Sequence, residues 1–365
     1  MTRHEKNNHV KRDVITLCRL ARRLQKQGNY KEAEEKFILA LERDPDNPYA
    51  LVGLGDLKRK RKRFKEALNY YQKCLEVEID NRFALAGLGD AYRALEEVDK
   101  ALEVWLHYLS LTPGDYKVMT RVADGFRKEG DCEIAMKIAK EYCFMALKQN
   151  PDDPYALSCL GDIYLREAND EEALKFFEKL IRTSSDPIRA LTSAGYIYLK
   201  RKQHYKAMDC FDRALEMDPQ SSYAWHGKAH CLTGIEDYPS AIKAWRMALD
   251  YGMEPRIALT RIGDAYLELK DVKYAKLNYQ KALTLGYDKY AYLGMARIHT
   301  EKNNIDKALK ILSMLAEKEP DDPRIADELS GFVEKHPHSV YELYPERRYG
   351  NMTGEESIVH HVSAK

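Results

Sequence analysis

Apolar and polar residues along this chain alternate with helical spacing, and the apolar stripes come in pairs. Between residues 47 and 75, one stripe includes Leu51 and Leu54, and a second includes Ala67 and Tyr71. Apolar positions three or four residues apart are typical of a helix with one buried face. Polar turns such as residues 26–29 separate the two stripes of a pair. The pattern therefore predicts helical hairpins, each of which buries its apolar face by stacking on its neighbours.

Two small residues mark every copy of the hairpin. The first marker is Gly or Ala in the first helix: Ala21, Gly55, Gly89, Ala123, Gly161, Gly195, Ala229, Gly263 and Ala296. The second is an alanine in the second helix: Ala33, Ala67, Ala101, Ala135, Ala173, Ala207, Ala241, Ala275 and Ala308. Both series advance by 34, 34, 34, 38, 34, 34, 34 and 33 residues. Two independent markers with matching steps indicate an internal repeat.

The period and the markers resemble the tetratricopeptide repeat (TPR) family. Its apolar residue four before the first marker is present as Leu51, Leu85, Leu157, Leu191, Trp225 and Leu259. Its aromatic residue four after the second marker is present as Phe37, Tyr71, Trp105, Phe177, Phe211, Trp245 and Tyr279. The family's closing proline is absent at Ile79, Met253 and Tyr287. The resemblance implies an all-α solenoid, a right-handed superhelix of nine helical hairpins plus a C-terminal capping helix.

The repeat markers also define the predicted domain boundaries. The solenoid covers residues 14–335, with repeats at 14–47, 48–81, 82–115, 116–153, 154–187, 188–221, 222–255, 256–288 and 289–322 and the cap at 323–335. Residues 1–13 form a basic N-terminal extension. The fourth repeat is four residues longer, without Gly or Pro between Ala135 and Lys148, so it predicts a helix extended by one turn. Residues 336–365 are predicted to be a flexible tail, and its tyrosines raise the hypothesis that it docks on its own groove or on a second copy, forming a homo-oligomer.

Charge gives no general preference for an anionic partner. The formal net charge is +1, although residues 58–63 are six consecutive basic residues. Two interpretations of that run remain open: a solvated turn at the end of a helix, or a contact for an acidic partner. No apolar stretch approaches the length of a membrane span. The seven cysteines, an odd number without a paired framework, fit reduced thiols and predict a cytoplasmic protein.

No set of residues predicts catalysis, and no cofactor or metal is expected. The Gly53-Leu54-Gly55 and Gly87-Leu88-Gly89 segments lie inside predicted helices. Close packing of helices therefore explains these glycines better than nucleotide binding does. His226 and His230 share a helix face and Asp264 lies one repeat later, which makes them the best candidate for a metal site. Cys231, adjacent in sequence, points away from that face, so a polar patch is the favoured interpretation.

The residue after the first marker is the strongest candidate for a functional position. It is aspartate in five repeats, and it becomes Tyr196 and His230 in two others. Basic residues follow three or four positions later on the same face. The resemblance places this face in the concave groove that receives peptides in TPR proteins. The predicted groove residues are Asp56, Arg59, Asp90, Arg93, Asp124, Arg127, Asp162, Arg166, Tyr196, His226, His230 and Asp264.

Two interpretations of this face are compatible. The first is a series of local ion pairs that hold adjacent repeats in register, each contributing only tenths of a kcal/mol. The second is a groove whose carboxylates and guanidinium groups bind a peptide. Aromatic residues near the starts of first helices would border the groove: Tyr49, Phe83, Tyr155, Tyr223 and Tyr290. The family's carboxylate clamp needs Lys and Asn where this chain has Val52, Ala86 or Thr120 and Asp, so a chaperone-tail ligand is not predicted.

The predicted function is that of a non-enzymatic scaffold that binds a segment of a partner protein in the groove. A first alternative is a regulatory or targeting subunit of an enzyme complex, whose chemistry another chain supplies. A second alternative is nucleic-acid binding through the N-terminal third, where residues 1–81 contain 19 Lys and Arg against 13 Asp and Glu. Binding to nucleic acid would weaken steeply with ionic strength.

Overall fold

Helices account for nearly all of the described structure, and they form consecutive antiparallel pairs. The computed structural model describes residues 3–128 and 133–337, with side chains from Arg12 onward. Within those ranges there are nineteen helices and no strand. The predicted all-α class is therefore confirmed. Odd-numbered helices are called first helices below, and even-numbered helices are called second helices.

The chain divides into two compact units, of which unit 1 runs to Ser185. Its helices are α1 Arg3–Lys26, α2 Tyr30–Arg43, α3 Pro48–Lys60, α4 Phe64–Val77, α5 Arg82–Ala94, α6 Val98–Leu111, α7 Tyr116–Lys128, α8 Glu133–Gln149, α9 Pro154–Arg166 and α10 Asp170–Thr183. Helix α1 begins at Arg3, so it continues into the segment expected as an N-terminal extension. Helix α8 has 17 residues where α6 and α10 have 14, and the additional length of the fourth repeat is helical.

Unit 2 begins at Asp186. Its helices are α11 Ile188–Lys200, α12 His204–Met217, α13 Ser222–Gly234, α14 Tyr238–Asp250, α15 Pro255–Glu268, α16 Val272–Thr284, α17 Lys289–Glu301, α18 Ile305–Lys318 and α19 Pro323–Lys335. Helix α19 buries Ile325, Leu329 and Phe332 against Leu312 and Leu315 of α18. It thereby covers apolar surface that a further repeat would otherwise cover. The predicted tail lies outside the described residues from position 338 onward.

Seven helix pairs are closed by one non-glycine residue in the left-handed region. This residue lies seven positions after the first marker in seven repeats: Lys62, Glu96, Ala168, Lys202, Glu236, Lys270 and Asn303. The conformation costs a non-glycine residue about 1–2 kcal/mol. It lets the next N–H bond back to the preceding helix, as Arg63 does to the carbonyl of Lys58 at 2.9 Å. The short turn therefore fixes the angle at which the second helix leaves the first.

The first marker is small because an aromatic ring of the second helix occupies the space where a side chain would project. A Cβ added to Gly55 would lie 2.5 Å from the Tyr71 ring, and one added to Gly89 would lie 2.3 Å from Trp105 Nε1. Both rings are fully buried. Contacts of this kind bring the helices close enough to exclude water from between them.

Candidate functional site

The predicted groove residues of unit 1 lie on a surface formed by first helices. Helices α1, α3 and α5 contact one another in series, and α7 contacts α9. In each of these helices the residue after the first marker occupies the same position of the repeat. We call this surface of α1, α3, α5, α7 and α9 the first-helix face.

Ion pairs connect each repeat to the next across the first-helix face. Arg22 Nη1 lies 2.7 Å from Asp56 Oδ2, and Arg59 Nη1 lies 2.9 Å from Asp90 Oδ2. The series continues with Arg93 4.0 Å from Asp124 and Arg127 3.4 Å from Asp162. We call these eight residues the arginine–aspartate ladder. Its geometry agrees with the interpretation that ion pairs hold adjacent repeats in register.

Two of these arginines, Arg59 and Arg127, also contact an aspartate of their own helix. Arg127 Nη2 donates to Asp124 Oδ1 at 2.6 Å, and Lys128 Nζ lies 3.1 Å from Asp124. Burial opposes the ionisation of Asp124, but these hydrogen bonds outweigh it and hold the pKa of the carboxyl below its ordinary value. Asp124 is therefore ionised at neutral pH, and Arg59 and Arg127 are each shared between two carboxylates.

Sequence reasoning missed a tyrosine that orders one end of the ladder. The Tyr71 hydroxyl donates to Asp56 Oδ1 at 2.8 Å and accepts from Arg59 Nε at 3.3 Å. Tyr279 in unit 2 donates to Asp264 Oδ1 at the same distance. In both cases the tyrosine lies fifteen residues after the aspartate. Tyrosine rather than phenylalanine at the family's aromatic position was the signal available in the sequence.

Arg166 has a different environment from the other predicted basic residues. It is exposed, and its Nη1 donates to the backbone carbonyl of Arg127 at 3.1 Å. Arg121, which the sequence reasoning did not select, belongs to the face, because its Nε lies 3.2 Å from Asp90 Oδ1. Asp90 therefore lies between Arg59 and Arg121, with only 7% of its side chain exposed.

Aromatic side chains at the starts of first helices are among the most exposed apolar groups of the described structure. Tyr49, Phe83 and Tyr155 in unit 1 and Tyr223 in unit 2 are 69–74% exposed. Each lies seven residues before the aspartate position, which is about two helical turns on the same side of the helix. Tyr290 is less exposed, because the guanidinium groups of Arg261 and Arg324 lie 5.3 and 5.6 Å from its ring centroid.

In unit 2 the predicted residues Tyr196, His226 and His230 gather around Trp245. The Tyr196 hydroxyl lies 2.7 Å from His226 Nδ1, and the centroids of the two imidazoles are 4.7 Å apart. Both imidazoles pack edge-to-face on the Trp245 ring, with centroids 5.2 and 4.8 Å away. Burial, the neighbouring His226 and Arg261 lower the pKa of His230 from 6.5 to about 4.

Burial also lowers the pKa of His226, so both imidazoles are neutral at neutral pH. Asp264 bonds to Tyr279 and Arg261 instead, with Arg261 Nη1 3.1 Å from Asp264 Oδ2. Burial raises the pKa of Asp264. Across the described residues, no three His, Cys, Asp or Glu side chains are grouped so that they could hold a metal ion.

The basic run at residues 58–63 is largely neutralised by neighbouring carboxylates. Lys58 is buried, with Nζ 2.9 Å from Glu34 and 2.6 Å from Glu66. Arg61 Nη1 lies 2.5 Å from Glu34, and Arg63 Nη1 lies 3.7 Å from Glu66. At Lys58 this pairing differs from the expected solvated turn, because carboxylates rather than water neutralise the charge, and it leaves few of these cations for phosphate groups.

Within the described parts of the chain, we find no helix that combines the length and the apolar character needed to cross a membrane.

Comparison with known proteins identifies repeats throughout the chain. Tetratricopeptide repeat models match residues 13–78, 156–187, 188–221 and 266–327. The crystal structure of the C-terminal part of a TPR repeat-containing protein from Cytophaga hutchinsonii aligns with a TM-score of 0.55 at 18% identity. That alignment covers 67% of this chain and 98% of the other. It supports the predicted helical-hairpin repeat fold.

Relatives in sequence are similar over short parts of longer proteins. The Protein CTR9 homolog of Arabidopsis thaliana is 26% identical over 171 residues, which cover 44% of this chain and 15% of that protein. The human Protein O-mannosyl-transferase TMTC3 is 32% identical over 125 residues, which cover 34% of this chain and 13% of that protein. The similarity to both relatives is therefore confined to a small fraction of their length.

Proposed function

Because the chain belongs to the tetratricopeptide repeat family, we propose that it is a non-enzymatic scaffold that binds a segment of a partner protein. The binding surface in unit 1 is the first-helix face. Proteins with TPR repeats generally mediate protein–protein interactions, and proteins of this fold are typically non-catalytic. The name of the human relative refers to a transferase, but the match covers only 13% of that protein.

The observation that carries the proposal is the combination of ordered charges and exposed rings on one face. The ladder arginines are each paired with at least one carboxylate, yet the side chains of Arg59 and Arg93 remain 35% and 41% exposed. Exposed aromatic side chains such as Phe83 lie two turns away on the same helices. An incoming segment would meet donors that are already oriented, which reduces the conformational entropy lost on binding.

We also propose a cytoplasmic location. The six cysteines in the described residues are all buried, and their reduced thiol form is expected of a reducing compartment.

Site-specific crosslinking tests the proposed surface. A photo-crosslinking amino acid replaces Phe83 or Tyr155, both exposed on the first-helix face, in otherwise unchanged full-length protein. The matched control positions are Lys100 and Lys175 on second helices, whose side chains are 61% and 59% exposed. We expect partner adducts at positions 83 and 155 and none at positions 100 and 175. Adducts confined to the second-helix positions would contradict the proposal.

A further inference from the structure

In each of the four ion pairs that connect one repeat of the ladder to the next, the cation is more exposed than the carboxylate. Side-chain exposure is 39% for Arg22 against 23% for Asp56, 35% for Arg59 against 7% for Asp90, and 41% for Arg93 against 24% for Asp124. The pair of Arg127 and Asp162 has the same order, at 14% against 11%. Arg22, Arg59 and Arg93 therefore lie between their aspartates and the solvent, whereas Arg127 is nearly as buried as Asp162.

Further cations lie on the same surface. Arg121 approaches Asp90 with 30% of its side chain exposed, and Lys128 approaches Asp124 with 49% exposed. Arg166 is exposed and donates to a backbone carbonyl. The face thus presents seven cations around four carboxylates, namely Arg22, Arg59, Arg93, Arg121, Arg127, Lys128 and Arg166 around Asp56, Asp90, Asp124 and Asp162. The solvent side of the face is consequently positive, although the chain as a whole carries a formal net charge of only +1.

From this arrangement we infer that the partner segment bound by the first-helix face of unit 1 is an acidic peptide. The inference rests on the proposed function and specifies the chemistry of its ligand. A guanidinium group offers five N–H donors, and one or two contacts to an aspartate leave donors that point to solvent. Carboxylate side chains of the ligand bind to those donors through charge-assisted hydrogen bonds.

The paired aspartates make the arginines better receptors. An unrestrained arginine loses side-chain entropy when it binds a ligand. Here Arg59 is already held by Asp90, Asp56 and the Tyr71 hydroxyl. Arg93 is held by Asp124 and lies with its guanidinium carbon 5.7 Å from the centroid of the Trp105 ring. These side chains are therefore ordered before a ligand arrives, and less affinity is lost to ordering them.

The four ladder carboxylates favour a peptide over a nucleic acid. Tyr49, Phe83 and Tyr155 offer apolar contact area beside the cations, and a peptide with carboxylates and apolar side chains on opposite sides matches both. A nucleic acid places a negative charge at every nucleotide and would meet the four ladder carboxylates along its path. Tighter binding of a nucleic acid would therefore contradict the inference.

The test measures fluorescence anisotropy of labelled peptides with the full-length protein. The peptides have one length and one sequence, except that the same positions carry glutamate, glutamine or lysine. We expect the glutamate peptide to bind at least about tenfold more tightly than the glutamine peptide, since several charge-assisted contacts are lost together. Added salt should weaken the glutamate peptide more than the glutamine peptide.

Paired variants locate the contact. Arg93→Gln combined with Arg166→Gln should weaken the glutamate peptide by about tenfold. The same charge change on second helices, Lys100→Gln combined with Lys175→Gln, should alter it by less than about twofold. Asp124→Asn should strengthen it, because the variant removes a negative charge from the face while the asparagine amide oxygen can still accept a hydrogen bond from an arginine. A strengthened affinity cannot result from partial unfolding, so this variant separates ligand recognition from stability.

Several outcomes would overturn the inference. The first is equal affinity for the glutamate and glutamine peptides. The second is a loss of affinity in the Lys100→Gln, Lys175→Gln variant as large as that in the Arg93→Gln, Arg166→Gln variant. The third is a higher affinity for a single-stranded RNA than for a glutamate peptide with the same number of charges. Crosslinking at position 83 without preference for acidic peptides would refute the inference and leave the proposed function intact. Absence of adducts at positions 83 and 155 would refute the proposed function itself.

Discussion

Tyr71 and Tyr279 occupy equivalent positions of their repeats, and each hydroxyl donates to the aspartate fifteen residues earlier in the chain. Phe177 and Phe211 occupy the same position in other repeats, so the ring satisfies the packing requirement and the hydroxyl is an addition. Burial raises the pKa of both tyrosines well above the ordinary value, which keeps the hydroxyl protonated as a donor. One residue thus joins the core to the ladder.

Replacement of Tyr71 by phenylalanine should cost about 1–3 kcal/mol of unfolding free energy. The variant keeps the buried ring but removes a hydrogen bond to an ionised group and leaves Asp56 with fewer partners. Tyr49→Phe, at a side chain 74% exposed, is the matched control and should change stability by less than about 0.5 kcal/mol. Urea denaturation measures both. Equal effects would mean that the Tyr71 hydroxyl has no role in ordering Asp56.

His230 should make stability depend on pH in the mildly acidic range. Its pKa is lowered from 6.5 to about 4 in the folded protein, so the native state disfavours the proton. The stability that this group contributes is present above pH 6.5 and is lost as the pH falls through about 4. A difference of that size corresponds to roughly 3 kcal/mol.

The pH dependence is tested by comparing the wild-type protein with His230→Phe, which retains an aromatic ring against Trp245. Unfolding free energies are measured between pH 7 and pH 4. We expect the difference between the two proteins to shift in favour of the variant as the pH falls, because only the wild-type protein must exclude a proton from this position. A constant difference across the range would refute the assignment. His226, whose pKa is also lowered, remains in both proteins.

Between neighbouring helices, Gly55→Ala should destabilise the second helical hairpin. The added Cβ would lie 2.5 Å from the Tyr71 ring, which is fully buried and cannot move without displacing its neighbours. We expect a cost of about 1–3 kcal/mol from overpacking. Gly331→Ala in α19, where nothing lies within 4 Å of the added atom, should be neutral or slightly stabilising. Thermal unfolding of the two variants compares them directly, and equal melting temperatures would count against close packing at Gly55.

The helical hairpins could be predicted from the sequence because their determinants are local and repeated. A small residue and an aromatic residue at fixed spacing require one mode of packing, and the pattern shows both. The partners of Arg59 could not be predicted in the same way. Its contact with Asp56 follows from spacing within one helix, whereas its contact with Asp90 depends on how two hairpins stack.

Burial of charged residues was equally hidden from the sequence. Lys58 belongs to a run of basic residues that looks solvated, yet its side chain is only 8% exposed and lies between Glu34 and Glu66. These carboxylates come from two second helices, and only the folded backbone shows that they converge. The exposed cation layer of the ladder likewise depends on side-chain exposure, which the repeat pattern does not contain.

At the scale of the molecule, the stability of a repeat protein is approximately a sum over repeats and over the contacts between neighbours. Residues up to Ser185 form one compact unit, and α10 is its last helix. A chain that ends within a helical hairpin would lose the missing residues and also the burial of the helix that remains. The apolar side of the remaining helix would lie in water without its partner.

We therefore expect a fragment of residues 1–185 to fold cooperatively and a fragment of residues 1–168 to be markedly less stable. The shorter fragment retains α9 but lacks α10, whose Leu174, Phe177 and Leu180 are buried. Loss of three such side chains corresponds to about 5–8 kcal/mol of hydrophobic stabilisation at roughly 2 kcal/mol each. Circular dichroism during urea denaturation measures both fragments, with the full-length chain as reference. Identical midpoints for the two fragments would show that α10 contributes nothing to unit 1, and the division of the chain at Ser185 would then have no energetic meaning.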